Sequence, residues 1–589
     1  MKFATTMLSM LSAPLSGGAG RALLRLGALF VVAVLVFATG FQVLMTVVEG
    51  RDFTWPTAVY WTLVTMTTLG FGDIVFETDL GRMYSVVVLL SGTLLLLILL
   101  PFTFIQLIYL PWRAALRAAR APRSLPEGTR DHLILTGRSP MEQLLIRRAR
   151  TVGMPYVLIV DDAEDASALH DDGYTVLVGD LDDPATYRTA RADQAAMVLS
   201  AGTDQANTNV AFTVREVSET CLIVATAGSE DAIDVLELAG VDHVLQLGDL
   251  LGQAFAGRIL APTARASIVA RFDDLVIAEA STAGTELVGK TLAQLDLRER
   301  CGVALVGMWE RGALLHADPQ AQVADTSILL LAGTEAQVEA YNASLGGSDD
   351  GSRPPTDRDG QQLVIVLGGG RVGRSVARSL EQAATPCRIV ERQRDRVRAF
   401  PDAVIGDAAD LEVLRQAGIE QATAVVVTTH DDDTNIYLAL YSRRLRPDAE
   451  ILGRVAVDRN VTTMHRAGAD FALSYASVAA IEAWNTMRPH RTHLLTEGLI
   501  AFRTPLPPAL ANRTPAAIGL PDTGCVLVGS IRDGHCTTAV DAHTPLPAGA
   551  DLVFVGDLEA EERFYARYIT RTHRPPLRTR LRRALARTR

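Results

Sequence analysis

Cysteine is scarce in this chain of 589 residues, and the five that occur (Cys221, Cys301, Cys387, Cys525 and Cys536) follow no CxxC or other metal-ligand spacing. That excludes a disulfide framework or zinc module and reads as core thiols in a reducing compartment. Positive charge is also in short supply: 56 Lys and Arg stand against 67 Asp and Glu, a net charge of −11 that leaves no broad cationic face for nucleic acid. The basic stretch "RTRLRRALARTR" reads as a solvated or lipid-touching segment. His243, His316, His535 and His543 have no neighbouring motif to supply an acid or base, so no enzyme is expected. No apolar run carries Arg or Lys at every third position, which excludes a voltage sensor. Lys2 with the weak apolar stretch before Pro14 makes a poor secretory signal.

Apolar residues, by contrast, are abundant and concentrated. Hydrophobic residues make up 48% of the chain, and two runs stand out, residues 27–48 and 83–110. Each is long enough to cross a hydrocarbon core of about 30 Å as a helix, so two spans through a lipid bilayer are expected. Arg21 and Arg25 precede the first run, and Arg113, Arg117, Arg120 and Arg123 follow the second. The positive-inside rule then places both outer flanks, and everything after about residue 112, in the cytoplasm of a cell-membrane protein. The loop between the runs, with Glu49, Asp52, Glu77 and Asp79 against Arg51 and Arg82, faces outward.

Within that loop, "FTWPTAVYWTLVTMTTLGFGD" offers Thr54 as an N-cap, Pro56 in the first turn and apolar helical turns up to Thr67. Such a helix is too short to span. An irregular glycine-containing segment at membrane depth is tolerated only where its backbone is buried or lines a watery path. A bare Gly-x-Gly reads by default as a loop between two anchors; the threonines, the short helix, the aspartate and the flanking runs together favour a cation pore.

The segment Thr68, Leu69, Gly70, Phe71, Gly72, Asp73 resembles the Thr-Val-Gly-Tyr-Gly-Asp filter of potassium channels with two spans. The resemblance implies that the carbonyls of residues 68–71 and the Thr68 hydroxyl coordinate K⁺ as the permeant ion, with Asp73 at the outer mouth. Four chains would bring their carbonyls to one axis and replace the hydration shell of the ion. Leu69 and Phe71 depart from the pattern, and Phe71 lacks the hydroxyl that could bond behind the filter. Gly92 and Pro101, in the second run, are candidate hinges for opening; glycine in a membrane helix also serves close packing.

After residue 128 the chain repeats itself. "HLILTG" (132–137) is similar to "LVIVLG" (363–368), "VLVGDLDDP" to "AVIGDAADL", and "AAMVLSAGTDQANTN" to "TAVVVTTHDDDTN", in the same order. Each half alternates short β-branched runs with helical patterns, the signature of a parallel doubly wound sheet, and ends in a small α+β module. In the second half Gly368, Gly370 and Gly373 follow an apolar strand and open a helix, with Glu391 about 20 residues on. That is a dinucleotide fingerprint. The corresponding turn of the first half, "GRSPME" from Gly137, loses two of the three glycines, and Glu142 adds a negative charge, so a structural role is favoured there.

These halves resemble RCK domains, relatives of the TrkA-type nucleotide-binding proteins. The resemblance implies a homotetramer whose eight domains form a cytoplasmic gating ring, and a regulatory ligand such as NAD or an adenine nucleotide. Its binding residues would be Gly368, Gly370, Arg371, Gly373, Glu391, Asp407 and Thr428. Weaker first-half candidates are Gly137, Asp161 and Asp180. A Ca²⁺ or other divalent site is conceivable at His430, Asp431, Asp432 and Asp433, or at Asp161, Asp162, Glu164 and Asp165, though a solvated loop is the simpler reading. The expected division is an N-terminal cytoplasmic segment (1–22), a pore domain (23–112), a linker (113–128), a Rossmann lobe (129–270) with its C-terminal lobe (271–343), a linker (344–360), a second Rossmann lobe (361–491) with its C-terminal lobe (492–575), and a basic tail (576–589). The function expected is a ligand-gated potassium channel; the alternatives are a membrane-anchored NAD-dependent oxidoreductase and a regulatory subunit of a potassium uptake system.

Overall fold

The computed structural model describes residues 17–110, 122–260, 265–282, 285–310, 313–324, 327–344, 362–488, 492–495, 498–532, 535–538 and 543–569. Arg113, Arg117 and Arg120, nearly all of the 344–360 linker and the basic tail lie outside the described residues. The chain forms two units, residues 1–122 with 162–172 and residues 123–161 with 173–589.

In the first unit, helices α1 (Gly17–Val47), α2 (Trp55–Met66) and α3 (Asp79–Gly92) pack around Trp61 of the short α2. Phe41 of α1 stacks on Trp61 at 4.7 Å between ring centroids, and Phe76 meets the same indole edge-on at 5.3 Å. Segments 27–47 and 79–103 are long and apolar enough to cross a membrane. Apolar rings at the centre of the trio supply dispersion contacts that lipid cannot replace as densely. The start of α3 is fixed from the preceding loop: Glu49 Oε1 accepts hydrogen bonds from the Thr78 N–H (2.9 Å), the Thr78 hydroxyl (2.7 Å) and the Glu77 N–H (3.1 Å). Those bonds, the Thr78 hydroxyl first, hold the Glu49 carboxyl below its ordinary range. Beyond Gly92 the helix widens into π-helical turns over Thr93–Leu99 and again over Ile105–Tyr109, with Pro101 in the short α-helical piece between them. Wider turns of this kind interrupt the regular ladder, as does a proline without an N–H.

The second unit holds two parallel sheets built alike. Strands β1 (Leu133–Leu135), β2 (Tyr156–Val160), β3 (Val176–Val178), β4 (Met197–Ser200), β5 (Ile223–Thr226) and β6 (His243–Leu245) lie in the order 3-2-1-4-5-6. Helix α4 (Pro140–Val152) follows β1, and α5 (Leu247–Leu260) follows β6. A five-stranded antiparallel sheet comes next: β7 (Ala266–Phe272), β8 (Leu275–Ser281), β9 (Ala304–Glu310), β10 (Ala313–His316) and β11 (Ile328–Gly333). The second half repeats the doubly wound order with β12 (Val364–Leu367), β13 (Cys387–Glu391), β14 (Val404–Ile405), β15 (Ala424–Val427), β16 (Glu450–Val455) and β17 (Phe471–Ser474). Helix α6 (Arg371–Gln382) follows β12, and α7 (Tyr475–Met487) follows β17. A second antiparallel sheet, β18 (Thr492–Leu494), β19 (Leu499–Pro505), β20 (Val526–Arg532), β21 (His535–Thr538) and β22 (Asp551–Asp557), ends in helix α8 (Leu558–Tyr568). The central strands are buried on both faces, which is why they read as continuous apolar runs.

The repeat extends to individual hydrogen bonds. Buried Asn207 donates to the Thr226 carbonyl (2.8 Å), and Asn435 donates to the Arg454 carbonyl (2.9 Å). Arg215 pairs with Asp242, Arg443 with Asp470, and each of those aspartates accepts an N–H from its neighbouring strand. The halves are joined by exchanged helices. Apolar α5 residues Leu251, Phe255, Ala256 and Ile259 complete the core of the second sheet against Val372, Val376 and Leu380 of α6. Reciprocally, α7 of the second half packs on α4 of the first. The two antiparallel sheets share one apolar core, with Phe272, Ile277 and Leu330 against Ala501, Val528 and Val553.

Gly252 lets α5 lie directly on Ser375 of α6, where a Cβ would collide with that side chain. Gly252→Val is expected to destabilise the cytoplasmic unit by about 1–3 kcal/mol, as overpacked cores do; a lowered midpoint in thermal unfolding of the purified chain, relative to Gly257→Ala at an open position, checks it.

Candidate functional sites: the filter and the nucleotide cleft

The segment after α2 has an unusual backbone. Residues Thr68, Gly70 and Gly72 have positive φ (60°, 52° and 74°) while Leu69 and Phe71 between them do not. Alternation of this kind turns successive carbonyls to the same side of a strand, and glycine reaches it at no steric cost. The N–H groups of Thr68, Leu69 and Gly70 point back to the end of α2, bonded to Thr65 O (3.0 Å), Val64 O (3.0 Å) and Val64 O (3.3 Å). Among the described residues the carbonyls of 68–71 accept no hydrogen bond. The missing hydroxyl at Phe71 is replaced one step further on: Tyr60 Oη donates to Asp73 Oδ2 (3.0 Å) and Trp61 Nε1 to Ile74 O (3.1 Å), both from α2. Thr54 stands at the N-cap with extended backbone, but its hydroxyl bonds Thr57 Oγ1 (2.8 Å), and Pro56 supplies the helical start.

Gly92 touches the lower end of α2 so closely that a Cβ would overlap the Met66 backbone. It is thus a contact glycine at the point where α3 widens, directly before Thr93. Pro101 lies one π-helical segment beyond.

In the second half, Gly368 takes φ 110° beside Thr428 and Thr429, and a Cβ on Gly373 would overlap the Gly368 carbonyl. Gly370 faces open space at the N-terminus of α6, where the free N–H groups and the helix dipole favour an anion. Thr428, fully buried, donates to the Leu367 and Gly368 carbonyls (3.3 and 3.0 Å), so it shapes the turn. The Glu391 carboxylate accepts from the Gly369 N–H (2.8 Å) and the Gln393 N–H (3.0 Å) and is nearly buried. Asp407 is half-exposed at the edge, 3.5 Å from Arg392 Nε. Arg371 reaches away from its own lobe and donates to the Ala227 carbonyl of the first (3.0 Å).

Two cleft residues escape sequence reasoning. Arg374, one turn into α6, folds back to the Gly369 carbonyl (2.9 Å); burial, then the nearby Arg378, pushes its pKa below the ordinary guanidinium value. Arg454 ends β16, donates to the Thr429 carbonyl (3.0 Å) and lies over the Tyr475 ring at 4.8 Å, while its buried Nε finds no partner. Burial lowers its pKa as well, with Arg371 adding repulsion. The only signal was an arginine at the end of an apolar strand, "ILGRV".

The first half has filled its equivalent turn from within. Glu142 Oε2 accepts the Ser139 N–H (2.7 Å) in a capping box, and its carboxylate lies against Gly137 at the N-terminus of α4. A carboxylate thus occupies the position that α6 keeps free for a ligand. Asp161 and Asp180 are exposed. Asp162 caps the next helix by accepting from the Glu164 and Asp165 N–H groups (2.7 and 2.8 Å). In the second cluster, Asp431 accepts from the Thr434 N–H and hydroxyl (2.8 and 2.6 Å), which holds its pKa down, and Asp432 accepts from Ala456 N and Asn460 Nδ2 (2.7 and 2.6 Å). Among the described residues no group of three His, Cys, Asp or Glu is placed to hold a metal ion.

Comparison with known proteins adds to this geometry. The family model described as "TrkA-N domain" matches residues 134–247 and 364–475, and the one described as "Ion channel" matches residues 29–108. The chain is 26% identical over 223 residues to "Probable potassium channel protein 2" of Methanocaldococcus jannaschii, covering 37% of this chain and 64% of that protein. It is 22% identical over 324 residues to "Potassium channel protein 1" of the same organism, covering 54% and 96%. The solved structure "GsuK channel bound to NAD" is 33% identical and superposes with a TM-score of 0.52 over 94% of this chain and all of that one; "GsuK Channel" gives 33% and 0.53 over the same shares.

Glu142 also carries a pH signature. Burial holds its folded-state pKa above the unfolded value, so the ionised form costs stability above that raised pKa and costs nothing below the unfolded one, near 4.5. Glu142→Gln keeps a carbonyl for the Ser139 N–H without the charge. Its thermal midpoint minus that of the parent is expected to rise with pH across this window, and a flat difference would count against a buried charge.

Proposed function

The chain belongs to the potassium channels that join an ion-channel pore to tandem TrkA-N, or RCK, domains, and from that membership we propose that four copies form a K⁺-selective cell-membrane pore gated by a nucleotide bound in the second half. It is a regulated channel and not an enzyme. The observation that carries the reading is the alternation of φ at residues 68–72, which frees the carbonyls of 68–71 toward one side. Four such strands replace the water lost by a dehydrating cation, and the carboxyl-terminal end of α2 adds a partial negative charge behind them.

The regulatory site is the α6 turn. Gly370 admits a pyrophosphate to the helix N-terminus, and Arg371, Arg374 and Arg454 supply positive charge. Asp407, at the exposed edge, suits the adenine end, and Glu391 orders the turn through Gly369 while facing the ribose position. NAD and ADP both present this pyrophosphate. Since Arg371 also bonds Ala227 of the first half, a phosphate drawing on that guanidinium changes how the halves hold each other. Regulation then requires only that the nucleotide bind two arrangements unequally, about 1–3 kcal/mol being a usual coupling. The change reaches the pore through the segment joining α3 to β1, and Gly92, with the widened turns after it, is the place where α3 bends.

Two substitutions separate pore from sensor. Gly72→Ala puts a side chain on a residue with φ 74° and is expected to abolish K⁺ flux from liposomes while leaving nucleotide binding intact. Gly370→Asp supplies the second turn with a carboxylate like that of Glu142 and is expected to abolish ADP and NAD binding at this turn and the modulation that depends on it, while basal flux remains. Flux that survives Gly72→Ala, or a nucleotide-binding stoichiometry unchanged by Gly370→Asp, counts against the assignment.

A further inference from the structure

The exchange of helices makes two equivalent clefts between the halves, and they differ sharply. One lies where α6 of the second half meets the loop after β5 of the first, a cavity of about 330 Å³. Its counterpart lies where α4 of the first half meets the loop after β16 of the second, and there the cavity is about 880 Å³. By the repeat, Arg371, Arg374 and Arg378 of α6 correspond to Pro140, Gln143 and Arg147 of α4, and Asp231 corresponds to Arg459. The small cleft is closed by arginines, Arg378 on the Glu230 carboxylate and Arg371 on the Ala227 carbonyl. In the large one the counterpart of Glu230 is Asp458, still an acid, but Arg147 pairs with Glu562 instead and Arg459 stands where the small cleft has Asp231, so that closure is lost.

The large cavity is nonetheless built. Arg150 is held between two rings, over Tyr174 at 4.9 Å and Tyr156 at 5.4 Å, and donates to the Tyr156 hydroxyl (2.6 Å) and the Gly173 carbonyl (2.7 Å). The two acids of the lining are already engaged: Glu562 of α8 takes a bidentate pair from Arg147, and Asp458 accepts the Ser477 hydroxyl (2.6 Å). Arg459 is exposed at the margin. The cavity therefore keeps an excess of positive charge, with tyrosines 174 and 565 on its walls. Its volume is in the range that takes organic ligands, roughly 300–1,000 Å³.

We propose that this cleft between α4, α8 and the loop after β16 is a second regulatory site, taking a phosphorylated small molecule of nucleotide size. Guanidinium groups suit phosphate oxygens, and the ring of such a ligand finds tyrosine faces to stack on. The site rests on the channel reading for its consequence but not for its binding chemistry. Its lining includes the ion pairs that join α8 to α4: beside Arg147 and Glu562 runs the buried contact of Arg148 with Glu561 at 3.2 Å. A ligand there acts on the contact between α4 and the second C-terminal lobe, a different interface from the one the nucleotide at Gly370 addresses.

The test uses the full-length chain in detergent carrying Gly370→Asp, with ADP and, separately, inorganic pyrophosphate as probes in isothermal titration. One remaining site per chain for either probe is expected, weakened at least tenfold when Arg459→Glu is added and little changed when Arg466→Glu, an exposed control at the end of the following short helix (Val461–Arg466), is added instead. No binding on the Gly370→Asp background, or binding indifferent to Arg459→Glu, overturns the proposal. The assignment at Gly370 is judged independently: it fails if Gly370→Asp leaves the binding stoichiometry of the parent chain unchanged.

Discussion

Four backbone carbonyls that accept no hydrogen bond among the described residues, at positions 68–71, set the terms for the pore. Buried peptide oxygens without a bond cost free energy, most of all at membrane depth. Everything around them makes that arrangement tolerable. The N–H groups of Thr68, Leu69 and Gly70 turn back to α2, so the first peptides of the strand are satisfied on one side only. Tyr60 and Trp61 pin the residues just beyond, and Gly92 brings α3 against the foot of α2. Leu69 and Phe71 are largely exposed in the single chain, at 59% and 65%. Apolar side chains so exposed beside unpaired carbonyls describe a surface that is completed by further copies and by ions.

The cytoplasmic unit answers a different constraint, that of making one sensor from two copies of one fold. Exchange of α5 and α7 commits each half to the other, since the core of the second sheet is incomplete without Leu251, Phe255 and Ile259. Within this near-symmetry, single residues assign different roles. Gly370 leaves a helix N-terminus open, while Glu142 fills the corresponding one with its own carboxylate. A buried carboxylate bonded to the turn does for the first half what a phosphate would do for the second, permanently and without a ligand.

Much of this was legible in the sequence. The filter expectation rests on chemistry carried by backbone, which needs glycine at fixed positions, and the positive φ of Gly70 and Gly72 suits it; the expectation at the α6 turn has the same basis in Gly368. The two-layer repeat showed in the apolar runs, because parallel strands buried on both faces leave little choice of residue. What could not be read depends on which surfaces meet. Arg454 is one arginine in a strand until Tyr475 and Arg371 are seen beside it. Glu391, from the fingerprint, and Thr428, from the resemblance, are both bonded to the turn itself, a division of labour that spacing does not encode. The exchanged helices were also hidden, since α5 has an apolar face whichever sheet it covers.

A channel that reports on nucleotides needs its two halves to respond unequally, and the asymmetry already present explains how. If both turns bound the same ligand with the same affinity in every arrangement, occupancy would shift nothing. Filling one turn with Glu142 removes that degeneracy: a ligand at the α6 turn would change the charge of that turn alone, and the change would fall on Arg371, which already bridges to Ala227. The apolar packing of α5 on α6 resists sliding, because close-packed surfaces have few alternative registers. The contact of α4 with α8 is made of ion pairs around a cavity, Arg147 with Glu562 and Arg148 with Glu561, whose desolvation is only partly repaid by their attraction. Strain introduced at the first interface is therefore relieved most cheaply at the second, which makes the polar contact the one expected to move.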